Sequence, residues 1–339
     1  MLNGLFDIEN RLDYLTENGD ILPSLKKLVP WEDFRSDLEV IYDHERKSNA
    51  GRRPFDVVLM FKILILQSLY NLSDDEMEYQ IMDRLSFMRF LDLDLDSRVP
   101  DAKTIWLFRS KLEAFQLTRR LFDRFNGFLA ASGFVARKGQ MVDATIVRVP
   151  IQRNTREENA AIKEGKPPVE NWSEAKKRQK DTDARWAKKG NELHYGYKNH
   201  VKADAESKLI TGYTVTSANV HDSRVLADLV DDDDYVLYAD SAYCGEAIFA
   251  ALPEGLEIQV HEKGSRNRPL TEEQKEHNKE KSRVRVRIEH IFGFMTNSMQ
   301  GITVRWIGKL RADFNAGITN LVYNICRYEF LKRPCFAMG

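Results

Sequence analysis

The stretch MVDATIVRV, residues 141–149, marks a change in the chain from helical to β-strand patterning. Its β-branched residues and the polar residues that bound it are typical of a strand. Four further runs of this kind follow, namely GYKNHVKAD from residue 196, KLITGYTVTS from 208, YVLYAD from 235 and EIQVH from 257. Because helical segments alternate with the later runs, the order predicts an α/β (α+β) domain in which helices flank a mixed sheet.

The residues before this stretch carry a helical pattern. Phe55, Val58 and Leu59 begin a series of apolar residues at the i, i+3, i+4 spacing of a helix that faces a core. The run Ser73-Asp-Asp-Glu76 has the form of a capping box, which opens a second helix. An all-helical N-terminal domain is therefore expected.

The chain is expected to have three regions. A helical region covers residues 1–135, a sheet-containing domain covers 136–332, and a short tail covers 333–339. Residues 152–193 form a polar insertion within the second region, which we interpret as flexible or loosely helical because β-branched residues are few. Four more helices are predicted over residues 104–129, over 223–229 with Asp222 as N-cap, over 278–295 and over 312–331.

Charge is unevenly distributed along the chain. The net charge is −1, yet residues 1–50 carry a net charge of −5 and residues 261–311 one of +6. A polyanion is expected to bind the later segment. The apolar run over residues 57–66 is interrupted by Lys62 and is too short for a bilayer about 30 Å thick, and the acidic start of the chain does not resemble a leader peptide. We therefore expect no membrane role, and the three cysteines, which show neither pairing nor C-x-x-C spacing, indicate a reducing cytoplasm.

Three acidic residues lie at positions in the predicted strands and helices where a carboxylate can have a functional role. Asp143 lies inside an apolar strand, where a charge costs several kcal/mol unless it is paired. Asp240 closes the run over residues 235–239 at the carboxyl end of a strand, where open α/β sheets bind ligands. Glu289 borders the apolar face of a helix, four residues after Arg285. Taken singly, a buried hydrogen bond, a turn and a solvated helix face remain alternative interpretations.

Three carboxylates on strands and a helix suit Mg²⁺. This ion prefers oxygen ligands, keeps several waters and shares the oxygens of substrate phosphates. Two Mg²⁺ ions about 3.5–4 Å apart can activate an attacking oxygen and stabilise a leaving one. The sequence therefore predicts phosphodiester chemistry at Asp143, Asp240 and Glu289, with Mn²⁺ as a substitute metal.

Several basic residues are candidates for contacts with DNA. Lys198 and His200 lie on a strand that begins with aromatic residues, which indicates either a DNA path or a solvated edge strand. Arg285 is expected to pair with Glu289 or to contact a phosphate. Further candidates for binding DNA are Arg305 and Lys309, and in the N-terminal helices Arg52, Arg53 and Lys62.

Taken together, these strings resemble the DDE transposases of bacterial insertion sequences, specifically the insertion sequence five group. The strings are AGRRPFDVVLMFKILILQ, LSDDEMEYQI, VDATIV, HYGYKNHVKAD, TSANVHDS, YADSAYCG and SRVRVRIEHIFGF, in this order over nearly the whole chain. The resemblance implies a ribonuclease H-like fold, divalent-metal catalysis and binding to the terminal inverted repeats of an element. It also implies that Asp143, Asp240 and Glu289 are the metal-holding triad of residues 136–332.

The resemblance also implies strand cleavage at the element ends by activated water, followed by attack of the 3′-hydroxyl on target DNA. In related elements the helix motif reads Tyr, two residues, Arg, three residues, Glu, six residues, Lys. Here Arg285 and Glu289 match, whereas Ser282 and Thr296 replace the Tyr and the Lys, so Arg305 or Lys309 is expected to supply the phosphate contact. Pairing two DNA ends implies at least a homodimer. A nuclease without strand transfer and a non-catalytic DNA-binding protein are the alternatives.

Overall fold

The computed structural model describes residues 7–42, 53–134, 139–164, 172–243, 246–262, 264, 269–302 and 304–333. The chain divides into two compact units, Met1–Phe128 together with Leu321–Gly339, and Leu129–Asn320. The first unit is helical, and the second contains all of the described strands. Of the predicted tail over residues 333–339, only Arg333 lies within the described part of the chain.

The first unit begins with eight helices in sequence order. They are α1 (Asp7–Glu17), α2 (Leu22–Leu28), α3 (Arg35–Glu39), α4 (Val57–Tyr70), α5 (Asp74–Asp83), α6 (Leu85–Leu91), α7 (Ala102–Ala114) and α8 (Leu117–Ala131). Helix α4 is apolar and buried on nearly every side, as expected of a core helix, and Asp56 caps its first turn. The predicted capping box of α5 is present, with Ser73 and Glu76 bonded to each other's backbone N–H groups.

The helix predicted over residues 104–129 is wrong in one respect, because two helices occupy this range. Helix α7 ends before Gln116, whose φ of 52° lies in the left-handed region and interrupts the α-helix. The apolar positions change phase at this point, since Ile105 and Leu112 face the core from α7 whereas Leu121 does so from α8. The exposure of Phe115, at 43%, shows that the spacing of α7 does not continue.

The N-terminal basic residues have different surroundings. Lys62 is buried on α4, where its Nζ lies 3.1 Å from Asp92 Oδ2 and over the ring of Trp31. The predicted DNA contact of Lys62 is therefore corrected to an internal ion pair. Arg53 is exposed, and Arg52 lies outside the described residues. No single helix in the described part of the chain is long and apolar enough to cross a membrane; α4 and α5 reach that measure only as a pair bent by 103°.

The second unit is built on one six-stranded sheet. Its strands are β1 (Gln140–Arg148), β2 (Arg185–Lys189), β3 (Glu192–Asp204), β4 (Ile210–Ser217), β5 (Val236–Ala239) and β6 (Glu257–Val260). Strand β3 pairs antiparallel with β1, β2 and β4, whereas β5 pairs parallel with β1, and β6 with β5. The order β4–β3–β1–β5–β6, with β2 beside the start of β3, is the expected ribonuclease H-like arrangement. The predicted fold class is confirmed.

The polar insertion is more ordered than its composition indicates. It contains α9 (Arg156–Lys163), α10 (Glu174–Arg178) and strand β2, which the sequence analysis did not predict. Glu158 accepts hydrogen bonds from Trp172 Nε1 at 2.9 Å and Lys176 Nζ at 2.6 Å, which ties the two helices together. Buried Asp181 accepts from the Tyr197 hydroxyl at 2.7 Å, so the end of the insertion is fixed to the sheet. These hydrogen bonds order the insertion together with the buried side chains of Ile162 and Trp172.

Four helices complete the second half of the chain. They are α11 (Leu226–Leu229), α12 (Glu246–Phe249), α13 (Glu272–Asn297) and α14 (Lys309–Lys332), whose residues from Leu321 belong to the first unit. The predicted N-cap of the turn before α11 is wrong by one residue. His221 Nδ1 faces the backbone N–H of Ser223, because Asp222 is bonded to Lys198 Nζ at 2.7 Å instead.

Candidate active site

The register of the parallel strands places Asp143 and Asp240 side by side. Met141 on β1 pairs with Tyr238 on β5, and an aspartate follows two residues after each of them. Ala239 on β5 pairs with Val260 on β6, so His261 follows at the same level as Asp240. Asp143, which lies within β1, and Asp240 and His261, which directly follow β5 and β6, therefore lie in one row across three neighbouring strands.

Asp143 is a poorly hydrated carboxylate. Its side chain is 22% exposed, Oδ1 accepts the backbone N–H of Ala144 at 2.7 Å, and Oδ2 lies 3.5 Å from Arg285 Nη1. Burial raises the pKa of Asp143 above its ordinary value, although the hydrogen bond from Ala144 and the charges of Arg285 and Lys189 lower it. The charge of Asp240 raises the pKa of Asp143 further. This arrangement favours a cation beside Asp143.

Asp240 occupies a tight turn directly after β5. One carboxylate oxygen accepts the backbone N–H of Ala242, and the backbone carbonyl accepts that of Tyr243 at 3.1 Å. The turn explains the local sequence, because an aspartate can bond the backbone two residues further on. The same turn holds the carboxylate at the end of the strand, next to Asp143. The turn and the active-site interpretations are therefore compatible.

Helix α13 brings Arg285 to the sheet and carries Glu289 one turn further on. Thr271 and Gln274 form a capping box at its start, and buried Ile288 and Ile291 pack its inner face. Arg285 Nη2 lies 3.9 Å from Glu289 Oε1, while Nη1 of the same guanidinium faces Asp143. The Glu289 side chain is 59% exposed. Arg285 thus lies between Asp143 and Glu289, as in the first of its two expected roles, and its contact with a phosphate stays a prediction.

Hydrogen bonds fasten α13 to the end of β6. Ser282 Oγ lies 3.0 Å from His261 Nε2, and Lys281 Nζ donates to the Val260 carbonyl at 3.1 Å. Asn278 bonds the backbone N–H and carbonyl of Glu262 at 2.9 and 3.0 Å. Ser282 occupies the position at which related elements have Tyr. Its hydrogen-bond partner is His261, which lies in one row with Asp143 and Asp240. These hydrogen bonds hold the part of α13 that carries Arg285 against the end of β6.

The carboxylates fit a divalent cation in part. Asp143 and Asp240 supply neighbouring oxygen donors of the kind that Mg²⁺ binds, and the desolvation of Asp143 would be relieved by a cation. Glu289 extends toward solvent and toward Arg285. Among the described residues, no three His, Cys, Asp or Glu side chains are grouped so that they could hold a metal ion. The fit therefore rests on the pair of aspartates.

The predicted DNA contacts on β3 are not supported. His200 is fully buried between β1 and β4, and its Nε2 lies 2.8 Å from Thr216 Oγ1. Burial lowers the pKa of His200 to about 4, so this residue is neutral and has no access to a phosphate. Lys198 is 17% exposed and donates to Asp222 and to the Val220 carbonyl at 2.7 and 2.9 Å. The sequence did not show that strands on both sides would cover β3.

The other predicted DNA-binding residues are at the surface. Arg305 and Lys309 are exposed, and Lys309 begins α14. Two residues near the site were not predicted from the sequence: Lys189, whose charge lowers the pKa of Asp143, and His261, which faces Ser282. A signal was present for His261, because it ends the predicted strand EIQVH. Lys189 lies in the insertion, to which the sequence analysis assigned no strand.

Comparison with known families agrees with this architecture. Residues 136–325, more than half of the chain, match the family model described as Transposase DDE domain. Residues 10–111 match the one described as Transposase domain (DUF772). No solved structure matches the chain. The chain therefore belongs to the DDE transposases, and its combination of a DDE domain with this N-terminal transposase domain is typical of the insertion sequence five family.

Proposed function

We propose that this transposase binds the terminal inverted repeats of an insertion sequence, cleaves the ends and joins their 3′-hydroxyls to target DNA. One observation carries the proposal: Asp143 and Asp240 follow paired positions of adjacent parallel strands, and Arg285 connects Asp143 with Glu289. Acidic side chains on neighbouring strands of a sheet are suited to hold the divalent ions of phosphodiester chemistry. The family to which the chain belongs acts on DNA and generally uses a divalent metal.

Asp143, Asp240 and Glu289 are the proposed holders of two Mg²⁺ ions, for which Mn²⁺ would substitute. When bound, such ions supply Lewis-acid activation of an attacking oxygen and charge stabilisation of a leaving one. The protein's own part is to keep Asp143 ionised and oriented, through the N–H of Ala144 and the guanidinium of Arg285. The turn after Asp240 orients the second aspartate.

DNA is proposed to approach along the basic part of the second unit. Residues 261–311 carry a net charge of +6, and Arg305 and Lys309 are exposed within them. Lys189 acts electrostatically on Asp143 and is a further candidate for a phosphate contact near the carboxylates. Because two element ends must be paired, we propose that the active species is at least a homodimer.

A cleavage and strand-transfer assay tests the function. The substrate is a labelled duplex that carries the inverted repeat flanking the gene, incubated with a supercoiled plasmid and Mg²⁺. Asp240→Asn is the test variant, because the amide oxygen can still accept the N–H of Ala242 and preserve the turn. Asp233→Ala, which removes an exposed carboxylate from the loop before β5, is the matched control. We expect the wild type and Asp233→Ala to cut and join, and Asp240→Asn to do neither.

The pattern of products separates the alternatives. Cleavage without joining in the wild type would favour a nuclease. Binding of the repeat without cleavage at any Mg²⁺ or Mn²⁺ concentration would favour a DNA-binding protein without catalysis. Full activity of Asp240→Asn would exclude the proposed metal role of Asp240.

A further inference from the structure

Strand β2 and the start of β3 form a hairpin that has an exposed aromatic face. The two strands are joined at residues 190–191, Trp186 pairs with Tyr195, and Leu193 lies on the same face two residues before Tyr195. The indole lies against the buried ring of Tyr195, with the ring centroids 5.2 Å apart. Trp186 is nevertheless 48% exposed and Leu193 68% exposed. The indole is therefore supported by the protein and still open to a ligand.

The hairpin is basic. Residues 185–195 contain three basic residues and one acidic residue, whereas the whole chain carries a net charge of −1. Arg185 fastens the base of the hairpin, because its guanidinium donates to the Ile162 carbonyl at 3.1 Å. Lys188 and Lys189 are exposed, and neither has a hydrogen-bond or ion-pair partner among the described residues. Two lysines of this kind favour a polyanionic ligand.

The composition of β2 argues against a second copy of the chain as this ligand. Strand β2 is at the edge of the sheet, where unpaired backbone groups can pair with another strand. Three of the residues of β2 are basic, however, and two copies side by side would bring these like charges together. Lysine on an edge strand opposes such pairing. DNA fits the charge of the hairpin better.

The base of the hairpin lies next to the start of α14. Buried Asp181 accepts the backbone N–H of Ala184 at 2.8 Å and that of Gly308 at 3.0 Å. Trp186 follows two residues after Ala184, and Lys309 directly follows Gly308. One carboxylate thus joins the hairpin to the helix that begins with a proposed DNA-contacting lysine.

The aromatic face lies on the side of the sheet that carries Asp143. Asp143 pairs with Val201, and Tyr195 faces the same side because it lies an even number of residues earlier on β3. Trp186 is paired with Tyr195 and shares that side. Burial raises the pKa of Asp143, and the charge of Lys189 at the end of β2 is among those that lower it. The hairpin is therefore placed to meet DNA that is bound at Asp143.

We propose that the hairpin binds an unpaired nucleobase of the DNA substrate, which stacks on Trp186 while Lys188 and Lys189 contact the phosphates beside it. The inference rests on the proposed function, because it takes DNA as the substrate. Bases within a duplex are stacked on both faces, so only an unpaired base has a face free for the indole. Because every base has such a face, stacking contributes affinity for separated strands without reading their sequence.

Binding of two DNA probes tests the role of Trp186. One probe is the blunt duplex of the inverted repeat that flanks the gene, and the other is the same duplex with a short run of unpaired thymines at one end. Fluorescence anisotropy is measured without divalent metal, so that neither probe is cut. In Trp186→Ala, affinity for the probe with unpaired thymines should fall by roughly 5- to 150-fold, the usual loss for a stacked base, while affinity for the blunt duplex stays that of the wild type. Trp186→Phe keeps a ring and should retain most of the affinity.

Matched controls separate the ring and the charges from general effects. Tyr235→Ala removes an aromatic residue that is 77% exposed before β5, and it should bind both probes as the wild type does. Replacement of both Lys188 and Lys189 by Gln should reduce the slope of log affinity against log salt concentration by about 1.4–1.8, as expected for two lost phosphate contacts. Lys177→Gln should leave the slope unchanged, since Glu174 already balances this exposed lysine at 2.8 Å.

The outcomes distinguish the inference from the proposed function. Wild-type affinity of Trp186→Ala for the probe with unpaired thymines, or an equal loss on both probes, would overturn the inference and leave cleavage and joining by the wild type untouched. Dissociation of a wild-type dimer into monomers in Trp186→Ala, measured by sedimentation, would assign the aromatic face to a second copy and would also overturn it. Failure of the wild type to bind either probe would overturn both the inference and the proposed function.

Discussion

Replacement of Arg285 by Gln tests whether the guanidinium holds the site together. Gln keeps a similar length and a polar end but carries no charge. The change removes the only cation that the structure places within 4 Å of both Asp143 and Glu289 among the described residues. Asp143 would keep the backbone N–H of Ala144 as a partner, but its burial would be less well compensated.

The expected magnitude follows from the geometry. Unit charges 3.5 Å apart attract by about 5 kcal/mol at an effective dielectric constant near 20, and desolvation offsets most of this. A hydrogen bond to a charged group is worth about 1.5–3 kcal/mol, and 3.5 Å lies at the outer limit of such bonds. We therefore expect a loss of about 1–2 kcal/mol in the free energy of unfolding. If the transition state for strand cleavage loses the same stabilisation of about 1–2 kcal/mol, the cleavage rate should fall by about 5- to 30-fold.

The loss of stability should depend on pH. The pair of Arg285 and Asp143 exists only while Asp143 is ionised, and burial raises the pKa of Asp143 above its ordinary value. The difference between wild type and variant should therefore be complete at pH 8 and should shrink as the pH falls through the pKa of Asp143. Urea unfolding of the metal-free protein, repeated from pH 8 to pH 4, measures this difference.

Arg287→Gln is the matched control, two residues further along α13. Arg287 Nη1 donates to the backbone carbonyl of Ala205 at 2.8 Å, so this variant also loses one hydrogen bond from a guanidinium. Its loss of stability should not change between pH 8 and pH 4, since the partner carbonyl does not titrate, and its cleavage rate should remain that of the wild type. Equal cleavage by Arg285→Gln and the wild type, or equal losses in both variants at every pH, would refute the reasoning.

Two further predictions concern the sheet. Gly196→Ala should lower the free energy of unfolding by about 3 kcal/mol or more, because φ is +148° and the added Cβ would lie 2.2 Å from the Val147 carbonyl oxygen. Gly190→Ala, with φ of +61° and no atom within 4 Å, should cost only about 1 kcal/mol in the same urea experiment, and equal losses would contradict the steric argument. Because the folded-state pKa of His200 is lowered to about 4, the neutral ring contributes stability that is present above about pH 6.5 and is lost as the pH falls toward 4, by up to about 3 kcal/mol. His200→Gln should flatten this part of the pH profile of unfolding, and an unchanged slope would assign the acid sensitivity to other groups.

The strands could be predicted because alternation of side chains is a local property. Each predicted run overlaps a strand of the structure, and Asp143 could be selected as the one acidic residue in the run over residues 141–149. The buried state of His200 could not be predicted in this way. A strand that is covered on both sides and one that lies at an edge have the same local pattern, and only the pairing of β3 with β1 and β4 distinguishes them.

Strand β2 escaped prediction for a different physical reason. Residues 185–189 are largely charged, and Trp186 among them is 48% exposed, so there is no buried face to detect. The strand forms because β3 offers it a row of backbone partners, and the insertion is held by the bonds of Glu158 and Asp181. Polar anchoring of this kind depends on residues that meet only in the folded chain. Composition alone therefore underestimates the order of the insertion.

The site shows the same division between local and non-local information. Sequence pattern alone gave Glu289 no preference over a solvated helix residue, and the resemblance to a family selected it. In the structure Glu289 is indeed solvated, and its link to the aspartates runs through Arg285 at i−4. Asp143 and Asp240, by contrast, are brought together by the parallel register of β1 and β5, and the register of β6 places His261 beside Asp240. The two aspartates could be selected because each has a distinctive position in its own predicted strand. The residues that meet them could not, because the register is set by the whole sheet.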